Sequence, residues 1–379
     1  MKIVLSFLGT YIRKLDKFLL LICMALTVFD IVLVNSLYEN GLIRYGLLPT
    51  QIIAACLGLG AAIVIGMIDY KFMLKVWYLY APVALILQFL LWSPLGVARD
   101  DDLAWLDLGF ISFQPSEILK IAFILTITAH ITKIGDKINS LPHLLLLCVH
   151  GMFPVGLILI QGDAGSALVF LFIFICMLFM AGISWKYILA AGLSVPALAW
   201  FAWNFIMGEH HKIRFLLLFD EELQYAERMD KFFQQWQARI ALGSGQLTGL
   251  GFDSDSFTNV PEIYNDFIFS YIGMTLGFIG CAAVVGVLAL LCLRLLSDAS
   301  AAQDMAGRLI CVGVFAQMMF HCIINIAMVM GLGPVVGIPL PFLSTGGTSM
   351  VMTYASIGLV LSVCTHKEKE KHMFYTEKD

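Results

Sequence analysis

Ten stretches of about 20 apolar residues run along this chain, and no other feature constrains its fold as strongly. They lie near 18–38, 47–68, 74–95, 115–133, 142–160, 164–182, 186–206, 265–293, 306–330 and 347–364. Each is long enough as a helix to cross a bilayer core of about 30 Å. Composition agrees: of 379 residues, 60% are hydrophobic and 13% charged. Soluble domains carry about 25% charged residues, and a water-exposed surface needs them. Disorder requires the opposite balance, low hydrophobicity with high charge. The net charge of -4, with no basic patch, excludes a nucleic-acid binder. The expected fold is an all-α integral membrane protein with about ten transmembrane helices, one domain over 1–379. No cleavable leader is expected, because the first run is long enough to remain a span and no small-residue cleavage site follows it.

An even number of spans puts both termini on one side, and Lys and Arg say which. One side collects fifteen: Lys2, Arg13, Lys14 and Lys17, then Lys71, Lys75, Lys133, Lys137, Lys186, Arg294 and Arg308, then Lys367, Lys369, Lys371 and Lys378. The short loops of the other side hold two, Arg44 and Arg99. Both termini are therefore expected in the cytoplasm. The acidic segments Asp100-Asp101-Asp102 and Asp220-Glu221-Glu222 then face outside, as does the long loop near 207–263 between spans 7 and 8. Within that loop, Phe232, Phe233, Trp236 and Ile240 recur at helical spacing. An amphipathic helix over Glu221 to Leu242 is expected, on the outer membrane face or packed on the bundle.

The nine cysteines lie in or beside apolar runs and form no CxxC pair, so they read as small buried hydrophobes. Ionisable groups at membrane depth are costly and select themselves as candidates. Glu117 and Lys120 are three apart on one helix face, which suits a structural ion pair and also a source of positive potential for an anionic substrate. Asp266 stands where the long loop enters a span, as a helix-start carboxylate or as a general base. Asp163 follows Gln161-Gly162 in a turn. His321 and Asn325 are i, i+4 neighbours placed to hydrogen-bond between helices, and Asp30 is alone mid-span. The run Gly243-Ser244-Gly245-Gln246-Leu247-Thr248-Gly249-Leu250-Gly251 lacks the GK[ST] of a phosphate loop. It predicts a sharp bend or a close backbone approach. In Gly337-Ile338-Pro339-Leu340-Pro341-Phe342-Leu343-Ser344, two prolines forbid a continuous helix, so a non-helical segment must line a cavity or pack on protein.

Taken in order, these blocks resemble the SEDS family (shape, elongation, division and sporulation), which includes RodA, FtsW and SpoVE. Trp105 with Gln114-Pro115-Ser116-Glu117 and Lys120 is similar to one family motif, and Gln161-Gly162-Asp163-Ala164-Gly165 to a second. Gln237, Arg239 and Gly243-Ser244-Gly245 resemble a third. Pro261-Glu262 with Asp266-Phe267-Ile268-Phe269 resembles a fourth. Asn325 through Pro334 and Gly337 through Ser344 complete the set. Chain length and short tails lean towards the RodA-like type.

The resemblance implies a peptidoglycan glycosyltransferase of the bacterial plasma membrane. It would polymerise lipid II, carried on undecaprenyl pyrophosphate, among membrane lipids and beside a class B penicillin-binding protein. The aspartate matching Asp266 would be the catalytic one. Glycosyl transfer needs a base for the acceptor hydroxyl, and the departing pyrophosphate needs cations or helix N-termini. Lys120, Arg214, Arg239 and Arg99 are candidates for that role. Trp105, Gln114, Glu117, Glu262 and Ser344, within the matching motifs, complete the expected substrate-binding set. A single base with no partner nucleophile predicts inversion at the anomeric carbon. No cofactor is required by the motifs. Asp266 and Glu262 are near enough in sequence to share a divalent cation, Mg2+ or Mn2+, if the turn brings them together.

Several positions depart from the family pattern. Met274 and Thr275 follow Gly273 where two glutamates are usual, and Gly162, Ala238 and Thr345 replace its proline, serine and tyrosine. A lipid II flippase and a non-catalytic scaffold for the transpeptidase are the alternative functions.

Overall fold

The computed structural model describes residues 11–367 apart from 12, 45, 100, 101, 110, 111, 207, 228, 231 and 255. Long apolar helices dominate it. The chain opens with α1 (Lys17–Glu39) and α2 (Leu47–Met67), then a short α3 (Tyr70–Lys75) and α4 (Trp77–Phe89). Next come α5 (Pro115–Ile134), α6 (Leu141–Ile160), α7 (Ala164–Met180) and α8 (Trp185–Phe201). Beyond the long loop lie α12 (Ile268–Ser300), α13 (Met305–Met330) and α14 (Gly347–Thr365). Eight described helices are long and apolar enough to cross a membrane, and two shorter apolar ones, Trp77–Trp92 and Ala164–Met180, supply the remaining expected spans. The chain is a multi-pass membrane protein.

Local sequence explains where these helices start. Asp16, Asp163 and Asp304 cap α1, α7 and α13 by accepting backbone N–H groups of the first turn. Pro115 opens α5, where a missing N–H costs nothing. Among the spans α13 and α14 are the most enclosed, and α14 lies tightly on α2. Gly58, Gly66 and Gly358 allow that approach, since a Cβ at Gly358 would stand 2.9 Å from the Cβ of Ile65. Apolar side chains on the outer faces, such as Leu21, Val28, Leu57 and Leu293, are exposed, as lipid contact requires. All nine cysteines are free thiols.

Two parts of the loops differ from expectation. Between spans 3 and 4 the chain folds into an antiparallel sheet of β1 (Gly96–Arg99), β2 (Asp102–Asp107) and β3 (Ser112–Phe113), which sequence spacing did not signal. An irregularity between Val97 and Ala98 spoils its alternation. In the long loop, the single helix expected over Glu221 to Leu242 is a correction: it is broken into α10 (Glu221–Ala226) and α11 (Phe233–Ser244), after a separate α9 (Glu209–Leu216). The break is a turn in which the Glu227 carbonyl accepts from the N–H groups of Asp230 and Phe232, both at 3.0 Å. Phe232, Gln235, Ala238 and Ala241 are buried against α12 and α13, so this face packs on the bundle.

The glycine run after α11 meets the bundle where α12 breaks. Gly277 adopts φ 64° and ψ -162° inside α12, which cuts the helical hydrogen-bond ladder. Loop residues replace the lost partners. Leu250 and Gly251 donate to the carbonyls of Met274 and Thr275 at 2.9 and 3.0 Å, and Phe278 and Ile279 donate to those of Gln246 and Leu247 at 2.8 and 3.2 Å. A Cβ at Gly245 or Gly249 would collide with the carbonyls of Gly273 or Thr275. Met274 and Thr275, where the family pattern has carboxylates, are fully buried and uncharged. The Met274 thioether accepts from the Thr258 N–H at 3.4 Å, and the Thr275 hydroxyl donates to the Tyr271 carbonyl at 2.8 Å.

Candidate active site

The site is built on a strap, residues 331–346, that runs from the end of α13 to the start of α14. Pro339 and Pro341 keep it from being helical, and Gly337 and Phe342 take positive φ of 62° and 63°. Its carbonyls therefore need donors from elsewhere. Side chains from four other elements supply them. Gln235 of α11 donates to the carbonyls of Met328 and Gly333 at 2.7 and 2.8 Å. Arg214 of α9 reaches the Val335 carbonyl at 3.4 Å. Asn325 of α13 donates to Ile338 at 2.8 Å, and His321 of the same helix bonds the Pro339 carbonyl at 3.1 Å. Gln51 of α2 donates to the Ser344 carbonyl at 3.4 Å, and its own carbonyl accepts from the Gly346 N–H at 3.2 Å.

Asp266 is clamped against this strap. It is half-buried in the turn just before α12, whose N-cap position is taken by Phe267. Asn325 donates to its backbone carbonyl at 2.7 Å with the same amide that holds Ile338. Ser344 donates to the neighbouring Asn265 carbonyl at 2.7 Å while accepting from the Leu340 N–H. The Thr345 backbone N–H donates to the Tyr264 carbonyl at 2.8 Å. The Asp266 carboxylate meets the strap at Gly337, where an added Cβ would lie 3.7 Å from its Oδ2. Glu262 is exposed at the start of the same turn, with φ 53°.

A second layer ties the strap to α5 and α7. Gln114 donates to Asp163 at 2.8 Å and to the Ser166 hydroxyl at 3.4 Å, so the expected turn aspartate also caps α7. Gly165, on that first turn, lies so close to the Val336 carbonyl that a Cβ there would collide with it. Lys120 donates to Glu117 at 2.7 Å, and both are buried. The Lys120 ammonium is 3.3 Å from His321 Nε2. Since an ammonium only donates, Nε2 accepts and Nδ1–H donates to Pro339, which assigns the neutral tautomer. Glu117 and Lys120 thus form a neutral, enclosed tie between α5 and the strap.

The structure brings Asp266, Ser344, Arg214 and Gln114 around one strap, with Glu262 on the Asp266 turn. Arg239 is exposed farther along, its side chain 3.0 Å from where a Cβ on Gly331 would be. Trp105 sits in the sheet, paired with Val97. The side chain of Arg99 lies outside the described residues. Sequence reasoning missed Gln51 and Gln235. Each is a buried amide whose partners lie far away in the chain, so the neighbouring sequence carried no signal for it.

The family model for the FtsW/RodA/SpoVE cell cycle proteins matches residues 13–369. Peptidoglycan glycosyltransferase MrdB of Escherichia coli K12 is 30% identical over 357 residues, covering 93% of this chain and 94% of that protein. The probable peptidoglycan glycosyltransferase FtsW of Geobacter sulfurreducens is 32% identical over 382 residues, covering 94% of this chain and 98% of its own length. Among solved structures, a chain of a peptidoglycan synthase complex that coordinates polymerization and crosslinking superposes with a TM-score of 0.79 at 26% identity, covering 93% of this chain and 99% of that one. The rod shape determining protein RodA of Thermus thermophilus superposes with a TM-score of 0.69 at 25% identity, covering 93% and 98%. With the family model spanning nearly its whole length, this chain belongs to the FtsW/RodA/SpoVE family.

Proposed function

We propose that this peptidoglycan glycosyltransferase extends glycan strands from lipid II and that Asp266 is its general base. The observation that carries the reading is the clamp on Asp266: its backbone is held by Asn325 and its carboxylate faces Gly337, the residue without a side chain. A base must be held within hydrogen-bond reach of the proton it takes, and a fixed backbone beside an unfilled position suits a sugar hydroxyl. The carboxylate takes the acceptor hydroxyl's proton as that oxygen bonds the anomeric carbon, and the undecaprenyl pyrophosphate leaves from the opposite face, inverting that carbon. Arg214, anchored on Val335 two residues from Gly337, supplies a cation beside the strap for the developing negative charge.

A bound Mg2+ or Mn2+ would take Asp266 and Glu262 as ligands and neutralise the pyrophosphate. Their two carboxylates on one turn suit Mg2+, which binds through one or two carboxylates plus phosphates. Proton removal and the hold on the acceptor remain with the chain's own residues. The family membership supports a bacterial plasma membrane location, and the Lys and Arg bias supports both termini in the cytoplasm with the Asp266 turn outside. A class B penicillin-binding protein is the partner this family membership favours.

A glycan-polymerisation gel with labelled lipid II, with and without the cognate transpeptidase, tests the reading. Wild type yields strands, and Asp266→Asn, folded as judged by an unchanged melting temperature, yields none. Strands from the mutant would remove Asp266 as base. Translocation of lipid II in proteoliposomes without polymer would favour a flippase, and full growth on Asp266→Asn a scaffold.

A further inference from the structure

Away from the strap, a cavity of about 350 Å3 opens between α4, α5 and α6. Its floor is one stripe of α5, where Leu119, Ala122, Thr126, Ala129 and Lys133 recur every three or four residues. From Leu119 to Lys133 the stripe is about 21 Å long at 1.5 Å per residue. That exceeds the roughly 15 Å that one leaflet contributes to a 30 Å core. Ala81 of α4 and the alanines of α5 make the channel deep, and Trp77 and Phe153 on its rim are each 49% exposed, so it is open sideways towards lipid.

The charged and titratable groups are confined to one end, and the Thr126 hydroxyl midway along is spent on the Phe123 carbonyl at 3.2 Å. Lys133 is exposed and makes no ion pair among the described residues. Beside it, His130 and His150 meet Nδ1 to Nδ1 at 3.0 Å across α5 and α6. Between neutral rings that bond needs one Nδ1–H donor and one Nδ1 acceptor. The accepting ring then carries its proton on Nε2 and has a donor to give. A full-length apolar channel that ends in an ammonium and an imidazole N–H is complementary to an acyl chain that ends in a phosphate.

We propose that this channel binds one acyl chain of an anionic glycerophospholipid from the leaflet on the Lys133 side, with its phosphate on Lys133 and the His130–His150 pair. A polyprenyl substrate tail fits the charge pattern poorly. Its pyrophosphate would sit at the Gln114 end of α5, whereas the cation is at the opposite end. The far end of the channel, at Leu119, adjoins Lys120 on the same helix. The bound chain therefore fills the space behind α5 where that helix carries the Glu117–Lys120 tie. This inference does not depend on Asp266 acting as base.

The test is native mass spectrometry of the full chain in detergent, after incubation with phosphatidylglycerol or with phosphatidylcholine of the same acyl chains. Wild type should retain phosphatidylglycerol on the order of fivefold better. Lys133→Ala should lose that preference and Lys133→Arg keep it. Filling the channel with Ala129→Phe should lower retention of both lipids. Glycerol phosphate, with the headgroup charge and no chain, should not displace the bound lipid. Equal retention of the two lipids by wild type, or an unchanged preference in Lys133→Ala, overturns the proposal. So does displacement by glycerol phosphate. Lys133 is an exposed side chain at the end of α5, so its variants remain informative if Ala129→Phe does not fold.

Discussion

Two non-helical segments lie against the bundle, and they are held in different ways. Among the described residues, the stretch 246–251 of the glycine run is stitched to the break in α12 by main-chain hydrogen bonds. The strap 331–346 is held mainly by side chains, with amides, an imidazole and a guanidinium arriving from α2, α9, α11 and α13 beside one main-chain bond from Thr345 to Tyr264. A main-chain seam needs only that no side chain intrude, so its requirement is written as glycine. A side-chain seam depends on each donor, and each donor can also fix the position of something else. Asn325 does both, spanning Ile338 and Asp266 with one amide. The segment beside the candidate base is thus the one whose position individual side chains set.

That contrast can be broken by substitution. The largest effect is expected from Lys120→Met, which strands buried Glu117 and removes the donor to His321, costing about 3–5 kcal/mol. The double variant Glu117→Gln with Lys120→Met should recover most of the lost melting temperature. A double variant no better than the single one would mean that the tie is not an ion pair. In the main-chain seam, Gly249→Ala should cost about 1–3 kcal/mol from its left-handed backbone alone, with the collision at Thr275 adding to it. Asn325→Leu should cost about 1–3 kcal/mol for each carbonyl it leaves unbonded and should lower polymerisation by more than its effect on stability, because Asp266 loses its anchor. Equal loss of stability and activity would place Asn325 in packing only. Leu247→Ala, on an exposed side chain of the glycine run, should change stability by less than about 0.5 kcal/mol, as a seam of main-chain bonds predicts. Thermal unfolding in detergent measures the stability of each variant, and the glycan-polymerisation gel measures the activity of Asn325→Leu.

Much of this was legible in the sequence. The spans follow from apolar run length, and Pro339 with Pro341 announced a non-helical segment whatever its partners. The glycine pattern implied a close approach, and Gly245 and Gly249 make one. The sheet at 96–113 was not legible, because short strands with an irregular register show no alternation to read. The long loop's helix was drawn too long because the apolar spacing that supports it begins only at Phe232, beyond the turn at Glu227. Gln51 was hidden for a different reason. It bonds a residue 293 positions away, and nothing near a lone glutamine in an apolar run identifies such a partner.

By itself, the sequence determined that the chain lives in a membrane, how many times it crosses, and which carboxylate stands at the entry to α12. Those are local facts, set by the free energy of burying about 20 apolar residues and by proline and glycine geometry. Only the tertiary structure decided what holds the backbone of that residue. A backbone that leaves the helix at membrane depth must find donors wherever packing brings them, and here they come from helices distant in the chain.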